Sequence, residues 1–226
     1  MNTTHQQLLL LATMINATKV IWATPDIDNT ISYIARVSNP SNQGNPNILG
    51  LLQYMMREGH VSPFEMANVT MEINTTRDIG RQILRHRSFS FQEFSQRYQD
   101  VTKLGGFLTR ECRLQDTTNR QSSIEVEDSE LNAWWQETQD MVIREVTLAY
   151  KEALSKGIAK EQARAILPEG NTISRMYMNG NIRSWIFYLK QRLHPTTQKE
   201  HRELAEDILS QLRVVAPITM EAFFPI

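Results

Sequence analysis

Hydrophobic spacing divides the chain into segments of different period. From Met66 to Asn74 apolar and polar residues alternate, with Ala67, Val69, Met71 and Ile73 on one side and Asn68, Thr70, Glu72 and Asn74 on the other. A period of two predicts a strand with one buried face. Lys19–Ala23 (KVIWA) predicts a second, shorter strand, and Asn29–Ser38 a short helix. Asn45-Pro46 predicts a helix start, with Asn as cap and Pro in the first turn. That helix runs through LLQYMMRE and stops at Gly59. Ile79 and Ile83, four apart, predict a helix over Arg77–Arg87. Leu104–Ser123 is polar and irregular and holds Gly105-Gly106, so it predicts a long loop. Four helices follow: Leu131–Lys156 ended by Gly157, Lys160–Leu167 stopped at Pro168, then Asn181–Leu193 and Thr197–Val214. There are no repeats. The expected architecture is α+β: one domain over residues 1–226, mostly helical, with a small central β-sheet.

Composition narrows the class. With 226 residues, 41% hydrophobic and 22% charged, the chain reads as globular rather than disordered. Residues 1–30 lack a strong period. The apolar run there, Leu8–Ile15, falls far below the ~20 residues of a membrane span, and no Lys or Arg precedes it as in a secretory signal. No membrane association is expected, and the default compartment is a reducing cytoplasm. The single cysteine, Cys112, rules out an internal disulfide and a cysteine-based zinc site, and no metal is expected. A net charge of −1 offers no global basic field for nucleic acid.

The positive charge is unevenly made and unevenly placed. There are 17 arginines to 7 lysines, a bias suited to forked recognition of phosphate or carboxylate. Arg77, Arg81, Arg85, Arg87 and Arg97 crowd one stretch with His86, against Asp78 and Glu93. On a helix Arg77, Arg81 and Arg85 share one face, where they repel unless an anion sits among them. Ser88–Tyr98 then alternates hydroxyls, amides, a carboxylate and aromatic rings. Such a segment suits a nucleotide: phosphate for Arg, sugar hydroxyl for a carboxylate or amide, base for an aromatic face. Three readings fit these residues: a nucleotide enzyme, a non-catalytic nucleotide- or RNA-binding protein, and a helical interaction domain with a surface arginine stripe.

Ordered motifs separate them. Arg85-His86-Arg87, seven residues, then Ser95 resembles the signature of the flavin-dependent thymidylate synthases, and QEFSQRY around it is similar too. Ala35-Arg36-Val37-Ser38, Gly59-His60-Val61-Ser62-Pro63-Phe64-Glu65, Ala163–Pro168 (ARAILP) and Asn181-Ile182-Arg183-Ser184 with Arg192 resemble further elements of that family. The resemblance spans roughly residues 34–205.

The resemblance implies reductive methylation of dUMP to dTMP, with methylenetetrahydrofolate as carbon donor, FAD as redox carrier and NADPH as reductant. It assigns dUMP to Gln82, Ile83, Leu84 and Arg85, to Glu93, Phe94, Ser95, Gln96 and Arg97, and to Arg164 and Arg192. Ser95 would donate its hydroxyl to the phosphate, and Arg192 would be catalytic, stabilising negative charge on the activated uracil. It assigns FAD to Ser38, His60, Ser62, Arg85, His86, Arg87, Glu93, Asn181 and Arg183. Ser62-Pro63-Phe64-Glu65 also reads as an ordinary capping box. Phe187 stands where some members carry a polar residue near the flavin, so no flavin contact is assigned there. Cys112, in ECRL, lacks a Pro-Cys-His setting, consistent with a route that needs no cysteine nucleophile. The family is homotetrameric, with active sites shared between chains, and the same is expected here.

Overall fold

The computed structural model describes residues 17–225; Leu8–Ile15 lies outside them. In chain order the elements are β1 (Thr18–Ala23), α1 (Ile27–Ala35), α2 (Ile48–Arg57), β2 (Asn68–Thr76), α3 (Arg77–Ile83), β3 (Ser90–Glu93), β4 (Arg113–Gln115), β5 (Ser123–Glu125), α4 (Ser129–Ser155), α5 (Lys160–Ala163), β6 (Ile173–Asn181), α6 (Ile182–Arg192), α7 (Lys199–Val215) and α8 (Pro217–Phe223). The fold is α+β. A four-stranded antiparallel sheet, ordered β1-β2-β6-β3, is the platform.

The alternation in β2 does what it predicts: Val69, Met71 and Ile73 are fully buried. They meet Trp185 and Leu189 of α6, Leu204, Ile208 and Leu212 of α7, and Met220 of α8 in one core. Trp185 donates its indole N–H to the carbonyls of Val69 (3.3 Å) and Gly180 (3.2 Å), tying α6 to the two central strands. Gly180 is required by contact, since a Cβ there would meet the Phe89 ring at 2.4 Å. Gly59 ends α2 in the left-handed region, φ 70°, as its position predicts.

Several boundaries differ from expectation. The cap of α2 is Asn47, which accepts from Gly50 N at 3.1 Å, while Asn45 instead accepts from Asn47 N at 2.8 Å. α3 stops at Ile83. Its last α-type bond runs from Leu84 N to Gly80 O, and tighter turns then carry Arg85 and His86 away from the helix face. The chain has to turn there because β3 pairs with β6 from Ser90↔Asn179 to Glu93↔Met176. The predicted Lys160–Leu167 helix breaks after Ala163 into a 3-10 turn, Arg164–Ile166. The expected long loop contains β4, paired with β5 in a small hairpin. β6, central in the sheet, has a period of two that Ser174, Tyr177 and Gly180 blur.

A second, smaller core holds Val101, Tyr150 and Ala163, with Phe94, Phe107 and Leu167 against it. Helix α4 reaches it through Tyr150. Elsewhere α4 leaves Trp134 (58%), Met141 (50%) and Leu148 (59%) exposed.

Candidate active site

The last turn of α6, the first turn of α7 and the end of α3 converge on one half-buried cluster. Arg192, the final residue of α6, donates from Nε to His86 Nε2 at 3.0 Å. A guanidinium only donates, so His86 accepts there and, when neutral, carries its proton on Nδ1. Burial first, and then the Arg192 charge, lower the His86 pKa to about 4. Burial also lowers Arg192, and the nearby Arg85 charge acts in the same direction. Among the described residues no carboxylate pairs with Arg192. Its charge is left available for an anion brought by a ligand, and partial burial strengthens that attraction.

Beneath this pair lies a polar layer. The Tyr188 ring sits edge-on to His86, centroids 4.8 Å apart. Tyr188 OH meets His201 Nε2 at 2.9 Å, and His201 Nδ1 meets Gln82 Oε1 at 3.1 Å. Burial, then the charges of Arg192 and His86, hold the His201 pKa at about 3, and burial pushes the Tyr188 hydroxyl upward.

The remaining dUMP-assigned residues lie elsewhere. Gln96 and Arg164 line a basic groove of about 420 Å³ with Arg77, Arg81, Glu161 and Glu169. Arg81 Nε donates to Glu169 Oε1 at 2.7 Å, Arg77 Nη1 to Glu93 Oε1 at 3.4 Å, and Ser174 Oγ to the same Glu93 oxygen at 2.8 Å. The repulsion expected along Arg77, Arg81 and Arg85 is therefore removed without a ligand. Arg85 leaves the helix, and carboxylates answer the other two. Arg97 Nε lies 3.4 Å from Glu161 Oε2, and Arg164 Nε donates to the Glu161 carbonyl at 3.3 Å. Gln96 is buried, yet its Nε2 has no partner among the described residues. A buried orphan donor in a groove of arginines fits an anionic oxygen ligand. Ser95 is half-buried, and its carbonyl accepts from Tyr98 N and Gln99 N, both 3.1 Å. The side chain of Ile83 is spent on the main core and that of Phe94 on the second, so either can offer a ligand only backbone groups. Leu84 remains partly exposed.

Of the FAD-assigned residues, Ser38, His60, Ser62, Asn181 and Arg183 lie beside α2 and α6, whereas His86 belongs to the Arg192 cluster and Glu93 is bonded to Arg77 and Ser174. Arg85 and Arg87 are exposed in the turn after α3. Ser38 is exposed and borders a groove of about 450 Å³ with Asn47 and Tyr54. His60 lies edge-on to Tyr54 at 5.9 Å. Ser62 opens a 3-10 helix (Ser62–Glu65) without capping it, so the capping-box reading of this motif is not met. Asn181 caps α6, its Oδ1 accepting from Ser184 N at 2.9 Å. Arg183 Nη1 donates to Glu65 Oε1 at 2.7 Å, and its guanidinium lies 5.4 Å from the centre of the Phe187 ring. The exposed guanidinium groups of Arg85 and Arg87, with Arg183, are forked donors of the kind that a diphosphate-linked cofactor needs, so these residues fit FAD.

Sequence reasoning missed Tyr188, Gln198, Glu200 and His201. His201 did carry a signal, because it shares the helical spacing of Leu204, Ile208 and Leu212 and is a polar residue on an apolar face. A cavity of about 760 Å³ was also not foreseen. It lies between the β4–β5 hairpin, Trp134, Trp135 and the start of α7, with Cys112 on its wall.

Residues 19–218 match the family described as thymidylate synthase complementing protein. A flavin-dependent thymidylate synthase of Synechocystis sp. is 53% identical over 178 residues, 79% of this chain and 80% of that one. The chain belongs to the flavin-dependent thymidylate synthase family. A probable flavin-dependent thymidylate synthase of Paramecium bursaria Chlorella virus 1 is 44% identical over 86% of this chain and 89% of the viral one. The fold agrees: the UMP/dUMP methylase PolB from Streptomyces cacaoi, bound with 5-Br dUMP, has a TM-score of 0.78 at 26% identity, covering 92% of this chain and 93% of that one. Membership bears out the resemblance carried by Arg85-His86-Arg87 and Ser95. It also agrees with a chain whose single cysteine stands outside the clusters described above.

Proposed function

We propose that this chain methylates dUMP to dTMP, with methylenetetrahydrofolate as carbon donor, NADPH as reductant and FAD as cofactor. The observation that carries the reading is the half-buried Arg192, held by His86 and paired with no carboxylate among the described residues. Placed beside the uracil, it stabilises the negative charge that develops when the ring becomes nucleophilic. His86, kept neutral by its surroundings, orients the guanidinium and does not compete with it for an anion. Arg97, Arg164, Ser95 and the orphan amide of Gln96 receive the phosphate, displacing Glu161 from Arg97. Gln82, Arg85 and Glu93 complete the nucleotide site, with backbone groups of Ile83, Leu84 and Phe94. FAD, when bound, supplies the redox chemistry that replaces a cysteine nucleophile. Ser38, His60, Ser62, Arg85, His86, Arg87, Glu93, Asn181 and Arg183 would hold it.

The assembly proposed is a homotetramer with shared active sites. Two observations support it. The exposed Trp134, Met141 and Leu148 give α4 an apolar face that the described residues leave uncovered. The dUMP-assigned residues also fall into two clusters, each incomplete for a nucleotide. Among the described residues no helix is long and apolar enough to cross a membrane, and a reducing cytoplasm is the compartment proposed.

The test is purification with FAD followed by an assay for dTMP from dUMP, NADPH and methylenetetrahydrofolate. A yellow protein that forms dTMP is expected. A folded, colourless protein that takes up no FAD but binds dUMP or RNA would leave the non-catalytic reading.

A further inference from the structure

The polar layer under Arg192 has a direction, and one residue sets it. Glu200 is buried in the first turn of α7, ion-paired with Arg113 and 3.6 Å from Arg110. Burial alone would raise its pKa, but the bond from Arg113 and further donors hold it below the ordinary value. As a carboxylate it only accepts. Gln198 must therefore turn its amide nitrogen to Glu200 Oε2, at 3.0 Å, and its oxygen toward Gln82. Gln82 must then offer its nitrogen to that oxygen, at 2.8 Å, and turn its own oxygen to His201. His201 must carry its proton on Nδ1, 3.1 Å away, which leaves Nε2 to accept from Tyr188 OH at 2.9 Å. Each link is decided by the one before it. With Glu200 neutral, both amides could turn over together without changing shape.

We propose that Glu200 fixes the polarity of this five-residue chain, and that His201 acts as a positioning residue that locks the Gln82 amide. The second N–H of Gln82 is then offered to an acceptor oxygen of the nucleotide, on the sugar or on the base. This rests on the reading of Gln82 as a dUMP contact, whereas the polarity itself does not. A group locked before binding loses less freedom when the ligand arrives, so its contribution shows as affinity.

Two measurements test it. The first is ¹⁵N NMR of histidine-labelled protein without nucleotide. There are 5 histidines, and the signals lost in His201→Asn identify His201. A neutral His201 protonated on Nδ1 is expected in the wild type, with a tautomer mixture in Glu200→Gln. Protonation on Nε2 in the wild type overturns the polarity. The second is kinetic. His201→Leu, which cannot donate, should raise KM for dUMP by about 2- to 10-fold, the size of one neutral hydrogen bond, and leave kcat nearly unchanged. His201→Asn, which places an N–H near the former Nδ1, should recover most of that loss. Loss of kcat without a change in KM, or no recovery with Asn, overturns the positioning role. Repeating the pair with 2′,3′-dideoxyuridine monophosphate locates the acceptor: a vanished penalty assigns the sugar hydroxyl, a persistent one the base, and both support the lock. If His201→Leu fails to fold, the wild-type NMR result decides. A wild type that binds no dUMP but shows the Nδ1 proton refutes the nucleotide reading and leaves the polarity standing.

Discussion

The Arg192 cluster and the Arg97–Arg164 groove are both built from arginine, yet the protein treats them in opposite ways. Around Arg192 the partners are neutral: His86, Tyr188 and His201 are kept uncharged mainly by burial. In the groove the partners are carboxylates in contact with water, Glu161 for Arg97 and Glu169 for Arg81, while Arg164 bonds only the Glu161 carbonyl; the Arg97–Glu161 pair is at least half exposed on both sides. Exposed pairs contribute little and exchange easily. The groove therefore suits capture of an anion, because an incoming phosphate replaces a weak partner. The cluster suits work on an anion that forms only during reaction, because its charge is oriented in advance and has no internal carboxylate to release.

The widest separation between the two regions should come from Arg192→Lys. Lysine keeps the charge but loses the planar fork that reaches His86 and a ligand together. Removal of a preorganised donor costs about 10²–10³ in kcat, and dUMP affinity should change far less. Single-turnover kinetics with equilibrium dUMP binding measures both. A loss confined to affinity would place Arg192 with the groove.

Arg97→Ala should show the reverse pattern. Losing a charge-assisted bond costs roughly 1.5–3 kcal/mol, or about 10- to 150-fold in dUMP affinity. Deoxyuridine, which has no phosphate, should bind as before, and calorimetry with both ligands checks the contrast. An equal loss for both would remove the phosphate from this groove.

Whether the two regions meet across subunits can be tested by mixing Arg97→Ala with Arg192→Ala under conditions where subunits exchange. In a mixed pair with shared sites, one site has both arginines and the other neither, so up to about half of wild-type activity per pair should return. Mixed tetramers proven by mass spectrometry that stay inactive would mean that each chain builds its own site.

The same contrast governs what was legible in the sequence. The groove residues announce themselves as charge and motif, and Arg97, Arg164 and Gln96 were found that way. β2 and α7 were legible because their apolar period is clean. β6 was not, since Ser174 and Gly180 on its buried side and Tyr177 on its exposed side interrupt the alternation, although pairing on both edges makes it central. The Arg77–Arg87 helix was overextended because local spacing carries no trace of the register that pulls β3 onto β6. Tyr188 and His201, both missed, occupy core positions. Their chemistry exists only because folding brings α3, α6 and α7 together.

Acid should weaken the buried cluster before it weakens the carboxylates of the groove. A histidine whose pKa is lowered on folding takes up fewer protons folded than unfolded, so stability falls as pH drops below the unfolded value. For His86 that window runs from about 6.5 down to about 4, and for His201 down to about 3. Glu169 and Glu200, held below the ordinary carboxylate value of 4.5, contribute in the same direction only at lower pH. The melting temperature should fall by several degrees between pH 6.5 and 4.5. In His201→Asn the slope over that window should be shallower. An unchanged slope would mean that His201 is already charged in the folded protein.

The smallest effect is expected at Cys112, a position that belongs to neither region. It is half-buried on the wall of the cavity beside the β4–β5 hairpin. Among the described residues no base or other group hydrogen-bonds its thiol. On the proposed reading the Arg192 cluster, by contrast, stabilises charge on the substrate itself, which removes the need for attack by a sulfur. Cys112→Ser keeps size and shape, and a change away from core and site is generally within about 0.5 kcal/mol, or about twofold. Turnover and melting temperature of the variant should both match wild type within that margin. A Cys112→Ser protein that folds, binds FAD and dUMP, and forms no dTMP would move the chemistry from the Arg192 cluster to the hairpin cavity.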